Sequence, residues 1–231
     1  MDSMRRSARV AGAVYVVMGV SCLFGLVCAP LVVADAQALA DRIGKPGAGF
    51  RVAVAFDLLT HVCGVVLAVL LYRLFRGVDA LLAMLMAGLY LAAVPMSFAI
   101  TLSDVAAHAV LTGSEAAAVF TAEERNALAV ALARAHIHGT QAAEMFWGLW
   151  LVPLGLLVRR SGFLPRVLGV LLIVSGVVYA VHSASEVLGA PWVQARVYTL
   201  ATMVGRGVGE LPFMLWLAVM GVRPGRAAGA G

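Results

Sequence analysis

The chain has 231 residues, of which 62% are hydrophobic and 13% charged, and its mean hydropathy is +0.96. A soluble domain carries about 45–50% apolar and about 25% charged residues, so the composition excludes a compact soluble fold, disorder, a coiled coil and collagen, and three cysteines exclude a disulfide scaffold. The net charge is +5, from sixteen Arg and one Lys, Lys45; most of these residues lie between apolar runs and form no stripe interleaved with aromatics, which argues against nucleic acid and for membrane topology.

Six apolar runs are long enough to cross a bilayer. They lie near 10–33, 50–72, 80–103, 126–158, 164–188 and 197–221, and about 20 residues suffice for about 30 Å of hydrocarbon. The expected fold is therefore an all-α bundle of about six transmembrane helices, one domain over 1–222, with a disordered tail at 223–231. The first run follows Arg5, Arg6 and Arg9 and precedes Ala34-Asp35-Ala36. A second reading takes residues 1–36 as a cleaved signal peptide, although the apolar stretch exceeds the roughly 7–15 residues of such peptides. Cys22, Cys28 and Cys63 all fall inside runs and read as small buried hydrophobes. The fourth run is too long for one span and is expected to begin outside the membrane or to break at Gly139. Thr121 and Glu124 form a capping box that sets a helix start near residue 122.

Arginine alternates between loops. The amino terminus, the loop with Arg73 and Arg76, the loop with Arg159, Arg160 and Arg166, and the tail with Arg223 and Arg226 are basic. The intervening segments carry Asp35, Asp41, Asp104, Glu115, Glu123 and Glu124. This pattern places both termini in the cytoplasm.

Ionisable groups inside the spans are the candidate site, because each charge costs at least about 2.5–3.5 kcal/mol at a helix centre. Asp57 and His61, His182 and Glu186, and Arg206 and Glu210 are three pairs spaced four apart, so each pair shares a helix face. Gln141 and Glu144 follow His136 and His138 on the fourth run, and Ser97, Thr101 and Asp104 close the third. At about 1.5 Å per residue, Asp57 lies roughly 10 Å below the outer boundary, and the other stripes map to the same outer half. A polar cavity opening toward the outer leaflet is the expectation. Each pair also has a purely structural reading, in which Asp57 neutralises His61 and Arg206 neutralises Glu210. Pro95 and Pro212 bend their helices, and Gly205 with Gly209 forms a G-x-x-x-G packing face.

The stretch from residue 50 to 219 resembles a bacterial membrane family known as domain of unknown function 4386. The residues that carry the resemblance are Phe50-Arg51 with Asp57, Leu70-Leu71-Tyr72-Arg73, His136 with Gly139, Arg160-Ser161-Gly162-Phe163-Leu164-Pro165-Arg166-Val167-Leu168-Gly169, and Gly209-Glu210 before Leu215-Trp216-Leu217. The Ser-Gly-Phe-Leu-Pro turn is the most distinctive of these. The resemblance implies a multi-spanning helical membrane protein and no settled activity. Asp57, His136 and Glu210 match its polar positions. Glu144 and His182 depart from it, the second standing where the family pattern is closer to Asp.

The leading functional expectation is an acid–base enzyme, of the cyclase or isomerase kind, acting on a lipophilic small molecule such as an isoprenoid. Asp57, His61, Glu144, His182 and Glu210 are its candidate catalytic residues. His136, Gln141, Trp147, Tyr179, Glu186 and Arg206 are candidate substrate-binding residues, with Phe146, Trp150 and Trp192 as further aromatic lining. A carboxylic acid in an apolar site donates protons, and aromatic faces shield a cation. No cofactor or metal is expected, and the bilayer and a lipophilic molecule are the expected partners. Three alternatives stay open. A haem or metal binder would use His61, His108, His136, His138 and His182, a proton-coupled transporter would use the acidic and His groups as a relay, and a structural subunit would use Gly205 and Gly209 as its partner face.

Overall fold

The computed structural model describes residues 2–28, 36–45 and 48–222. Ala34 and Asp35 of the cleavage-like motif, the side chain of Cys28, and the tail at 223–231 with Arg223 and Arg226 lie outside the described residues. The helices are α1 (Asp2–Cys28), α2 (Ala36–Ile43), α3 (Gly49–Phe75), α4 (Ala80–Thr112), α5 (Ser114–Val119), α6 (Ala122–Leu149), α7 (Leu151–Ser161), α8 (Arg166–Val187) and α9 (Arg196–Val219), with a 3-10 turn at Pro191–Gln194. No strand occurs among the described residues. The chain is an all-α membrane bundle, as its composition requires. In hydrocarbon every backbone polar group must be paired inside the protein, and a helix does so within one segment.

Five stretches are long and apolar enough to cross a bilayer: Met4–Phe24, Gly49–Phe75, Ala80–Thr112, Ala122–Ser161 and Arg166–Val187. Leu81, Met84, Val174, Val177 and Val181 point outward on them, an inverted surface suited to lipid. The expected sixth span, α9, has sufficient length at 24 residues. It falls outside that group because Arg196, Arg206 and Glu210 dilute its apolar content.

Two boundaries differ from expectation. Helix α4 continues to Thr112 and so contains Asp104 and His108, with Pro95 inside it. The fourth run breaks at Trp150 rather than at Gly139, which lies within α6. The reason is Pro153. It has no N–H for the carbonyl of Leu149, where α6 ends, and a proline is tolerated in the first turn of α7. The start of α6 is as the sequence indicates. The Glu124 amide donates to Thr121 Oγ1 at 3.2 Å, and the Thr121 amide donates to Glu124 Oε2 at 2.8 Å.

Two compact units make up the chain. The first contains Met1–Val17, Cys63–Ala93 and Ala142–Gly231, and the second Met18–Val62 and Val94–Gln141. In the first unit, Leu67, Leu71, Phe75, Met86, Leu151, Leu154, Leu157, Leu172, Phe213 and Leu217 are fully buried. Small residues bring its helices together. A Cβ on Gly155 would stand 2.5 Å from the Gly169 carbonyl oxygen, and one on Gly209 would stand 2.5 Å from that of Leu171. Gly205 faces Val178. The G-x-x-x-G face of α9 is therefore spent on α8 and is not an open partner face. The Ser161–Pro165 turn also has a local cause. Gly162 adopts φ +70°, Phe163 stacks on Phe75 at 5.8 Å, and Pro165 precedes the first residue of α8.

In the second unit an alanine-rich core holds α2, α3, α4 and α6 together. Ala40, Ile43, Phe50, Ala53, Ala107, Ala129 and Ala133 are its buried members. His108 lies against it, with Nδ1 2.8 Å from the Ile43 carbonyl oxygen and its ring stacked on Phe50 at 4.3 Å.

Candidate functional site

The first unit gathers one polar cluster from α6, α8, α9 and α1. On α8, Tyr179, His182 and Glu186 are spaced by three and four residues and share one face. On α9, Tyr198, Thr202, Arg206 and Glu210 recur every four residues along a slowly turning stripe. Glu144 of α6 stands between the two rows. Its Oε2 is 2.6 Å from His182 Nδ1, and its Oε1 accepts from Arg206 Nη1. Glu144 is only 7% exposed, so both of its oxygens are satisfied by side chains where water is scarce. His182 Nε2 lies 3.7 Å from Glu186 Oε1, beyond hydrogen-bond reach, and the imidazole stacks on Tyr198 at 5.8 Å. The Arg206 guanidinium sits 5.6 Å from the Tyr179 ring centroid, within cation–π range, and its Nε donates to the Thr202 carbonyl at 3.3 Å.

Glu210 is not the partner of Arg206 that its spacing allows. Tyr15 of α1 donates to its Oε2 at 2.5 Å, and the Tyr179 hydroxyl bonds to the same carboxyl group. Tyr15 is 2% exposed, with Trp150 and Phe213 against its ring at 6.3 and 6.4 Å. One turn before Pro212, Ser175 of α8 reaches into α9. Its hydroxyl donates to the Gly205 carbonyl and accepts from the Gly209 amide, both at 2.8 Å. A side chain placed in the backbone ladder in this way fixes the helix beside Arg206 and Glu210.

The second unit holds a different set of groups. Asp57 and His61 of α3 meet Thr101 of α4. Thr101 Oγ1 donates to Asp57 Oδ2 at 2.5 Å, and His61 Nε2 lies 3.1 Å from Thr101 Oγ1. The direct His61–Asp57 separation is 3.7 Å, so the hydroxyl bridges the pair. Asp104, 0% exposed, stands 2.8 Å from His136 Nδ1 of α6. His138 faces away, 3.0 Å from Gln141 Oε1.

The structure thus brings Glu144, His182, Glu186, Arg206, Glu210 and Tyr179 together in one unit, and Asp57 with His61, and His136 with Asp104, in the other. Gln141 meets His138. Sequence reasoning did not select Tyr15, Ser175 or Tyr198 for the site, and it placed Thr101 and Asp104 among the polar groups of the outer half without giving them a role. The i, i+3 spacing of Thr101 and Asp104 was a usable signal, whereas Tyr15 and Ser175 sit in apolar runs without any. Neither of the two described pockets is lined by the carboxylates and histidines of these clusters. One, of about 320 Å³, is bordered by Ala109, Gly113 and Glu115, and the other, of about 540 Å³, by Arg5, Arg6 and Arg9. Within each cluster the groups contact one another side chain to side chain. Among the described residues no three His, Cys, Asp or Glu side chains are grouped to hold a metal ion.

The model of a family described as Domain of unknown function (DUF4386) matches residues 10–221, a stretch that contains both sets of polar groups. No curated protein and no solved structure matches the chain.

Proposed function

We propose that this chain, which belongs to the DUF4386 family of unknown function, is a multi-pass enzyme of the bacterial plasma membrane that performs acid–base chemistry on a lipophilic small molecule. The reaction class is isomerisation or cyclisation. The observation that carries the reading is the seat of His182, whose Nδ1 is held 2.6 Å from a Glu144 oxygen while Arg206 takes the other. A carboxylate on Nδ1 sets the tautomer and leaves Nε2 with its lone pair. His182 Nε2 is the proposed base that takes a proton from carbon. Glu210, with Tyr15 and Tyr179 on its carboxyl group, is the proposed acid that returns one. Such a reaction moves one proton out and one in, and needs no electron acceptor. Glu186 and Arg206, with side chains 21% and 23% exposed, form the accessible edge of the cluster, where a substrate would dock from the lipid.

The test compares apolar metabolites extracted from cells that lack the gene or express wild-type protein, His182→Gln or Glu210→Gln. A product made with wild-type protein and lost with both variants supports the reading. Identical profiles in all four would falsify it.

A second reading is favoured by the row His61–Thr101–Asp57, in which each group touches the next. Such a row relays protons, and it supports a proton-coupled transporter. Proton uptake by reconstituted vesicles that Thr101→Val abolishes and His182→Gln leaves intact would select it.

A further inference from the structure

We infer that the pocket at the start of α1 is a binding site for the phosphate headgroup of an anionic phospholipid. The pocket has a volume of about 540 Å³ and is lined by Arg5, Arg6, Arg9, Val10, Ala13 and Ala218, all within the first unit. Its cationic end is positioned by the fold. Arg5 and Arg9 are one turn apart on α1, and both lay their stems on Gly221, where a Cβ would stand 3.2 Å from the Cγ of each. Gly221 has φ +66° just past the end of α9, a conformation that favours glycine and leaves room for the two stems. Arg9 Nη2 also donates to the Val219 carbonyl at 3.0 Å. Arg5 and Arg6 are exposed.

The rest of the pocket is apolar. Val10, 46% exposed, continues the wall from the arginines along α1, with Ala13 and Ala218 beside it. Guanidinium groups at one end and hydrocarbon at the other match an amphiphile, not a free anion. A phosphate diester offers the paired oxygens that a guanidinium fork grips, and an acyl chain covers the valine and alanines. A zwitterionic headgroup brings its own cation to three arginines and gains less. Topology alone asks for arginine near a membrane face, but it asks for no pocket with an apolar wall. Basic pockets on the cytoplasmic side of helical membrane proteins hold anionic headgroups by this chemistry. The inference is independent of the acid–base reading.

The experiment uses the full chain in mild detergent, titrated separately with dioleoyl phosphatidylglycerol, dioleoyl phosphatidylcholine and sodium phosphate. Bound lipid is counted by native mass spectrometry, and the melting midpoint is followed in parallel. Phosphatidylglycerol is expected to be retained and to raise the midpoint, and the other two are not. Near a membrane face each arginine is worth about fivefold in affinity, so Arg6→Gln loses about fivefold and Arg5→Gln/Arg6→Gln about 25-fold. Arg6 touches neither Gly221 nor Val219 in the contacts above, so its variant separates lost binding from lost folding. Arg73→Gln/Arg76→Gln is expected to bind as wild type. Equal retention by the Arg5/Arg6 variant, equal retention of phosphatidylcholine, an equal loss in the Arg73/Arg76 variant, or a midpoint rise with phosphate alone would each overturn the inference. The last outcome would assign the pocket to a free anion.

Discussion

Glu144 shows how one side chain organises the cluster. It is the shared partner of His182 and Arg206, and removing its charge leaves a guanidinium in apolar surroundings with an amide in place of a carboxylate. Breaking a buried ion pair from one side costs about 3–5 kcal/mol. The 23% exposure of the Arg206 side chain puts Glu144→Gln at the lower end, about 3 kcal/mol. The double variant Glu144→Gln/Arg206→Met leaves no orphaned charge and is expected to recover part of that loss. Thermal unfolding of the four proteins in detergent gives the coupling, and a double variant as costly as the sum of the singles would remove the pair from this account. The groups themselves were legible in the sequence, because a charge in an apolar run is conspicuous. Their partners were not. Arg206 has Glu210 four residues away and yet bonds to Glu144, 62 positions distant in the chain, because the choice depends on which helix face meets which.

At the scale of elements, the approach of α8 to α9 sets the geometry of the cluster. Gly209 allows it. A Cβ there would meet the Leu171 carbonyl at 2.5 and 2.7 Å and Leu172 Cα at 2.8 Å, all backbone atoms that cannot rotate aside. Gly209→Ala is therefore expected to cost about 2–3 kcal/mol through overpacking. Gly207, two residues away, is the control. Its Cβ would meet only Leu211 Cδ1, at 3.6 Å, so Gly207→Ala is expected to stabilise by about 0.5–1 kcal/mol through helix propensity. Melting midpoints that move in opposite directions support this reading, and a joint rise or a joint fall contradicts it. Local signals were read well where the cause is local. The Thr121–Glu124 box starts α6 because both partners lie within four residues. Of the two outcomes the sequence allowed for the fourth run, a break at Gly139 does not occur, because a glycine is tolerated inside a well-packed helix, while Pro153 ends α6 four residues ahead of itself.

For the whole molecule, the open quantity is the number of crossings. The arginine pattern predicts both termini in the cytoplasm and therefore an even count, whereas five stretches are apolar enough to cross without help. The contacts of the polar stripe of α9 reconcile the two, because Arg206 bonds to Glu144 and Glu210 to Tyr15 instead of meeting lipid. A fluorescent protein fused after Gly231 is expected to fluoresce, as it does only in the cytoplasm. Cysteines placed at Gly77 and at Gly189 are expected to label from the inside and the outside respectively. A dark fusion, with Gly77 still labelled from inside, would mean that α9 does not cross.

The amino-acid sequence by itself determined the class of this protein. With 62% apolar and 13% charged residues, hydrocarbon is the solvent the chain suits, and apolar runs of about 20 residues then pair their backbone as helices. Spacing along each helix also determined which polar groups share a face. Only the tertiary structure decided which faces meet. It gave Glu210 to Tyr15 and Tyr179, Arg206 to Glu144, and His136 to Asp104, and it distributed the polar groups between two compact units. The physical reason is that spacing is a property of one helix, whereas an ion pair is a property of two, and small residues such as Gly155, Gly169 and Gly209 set how closely two helices approach.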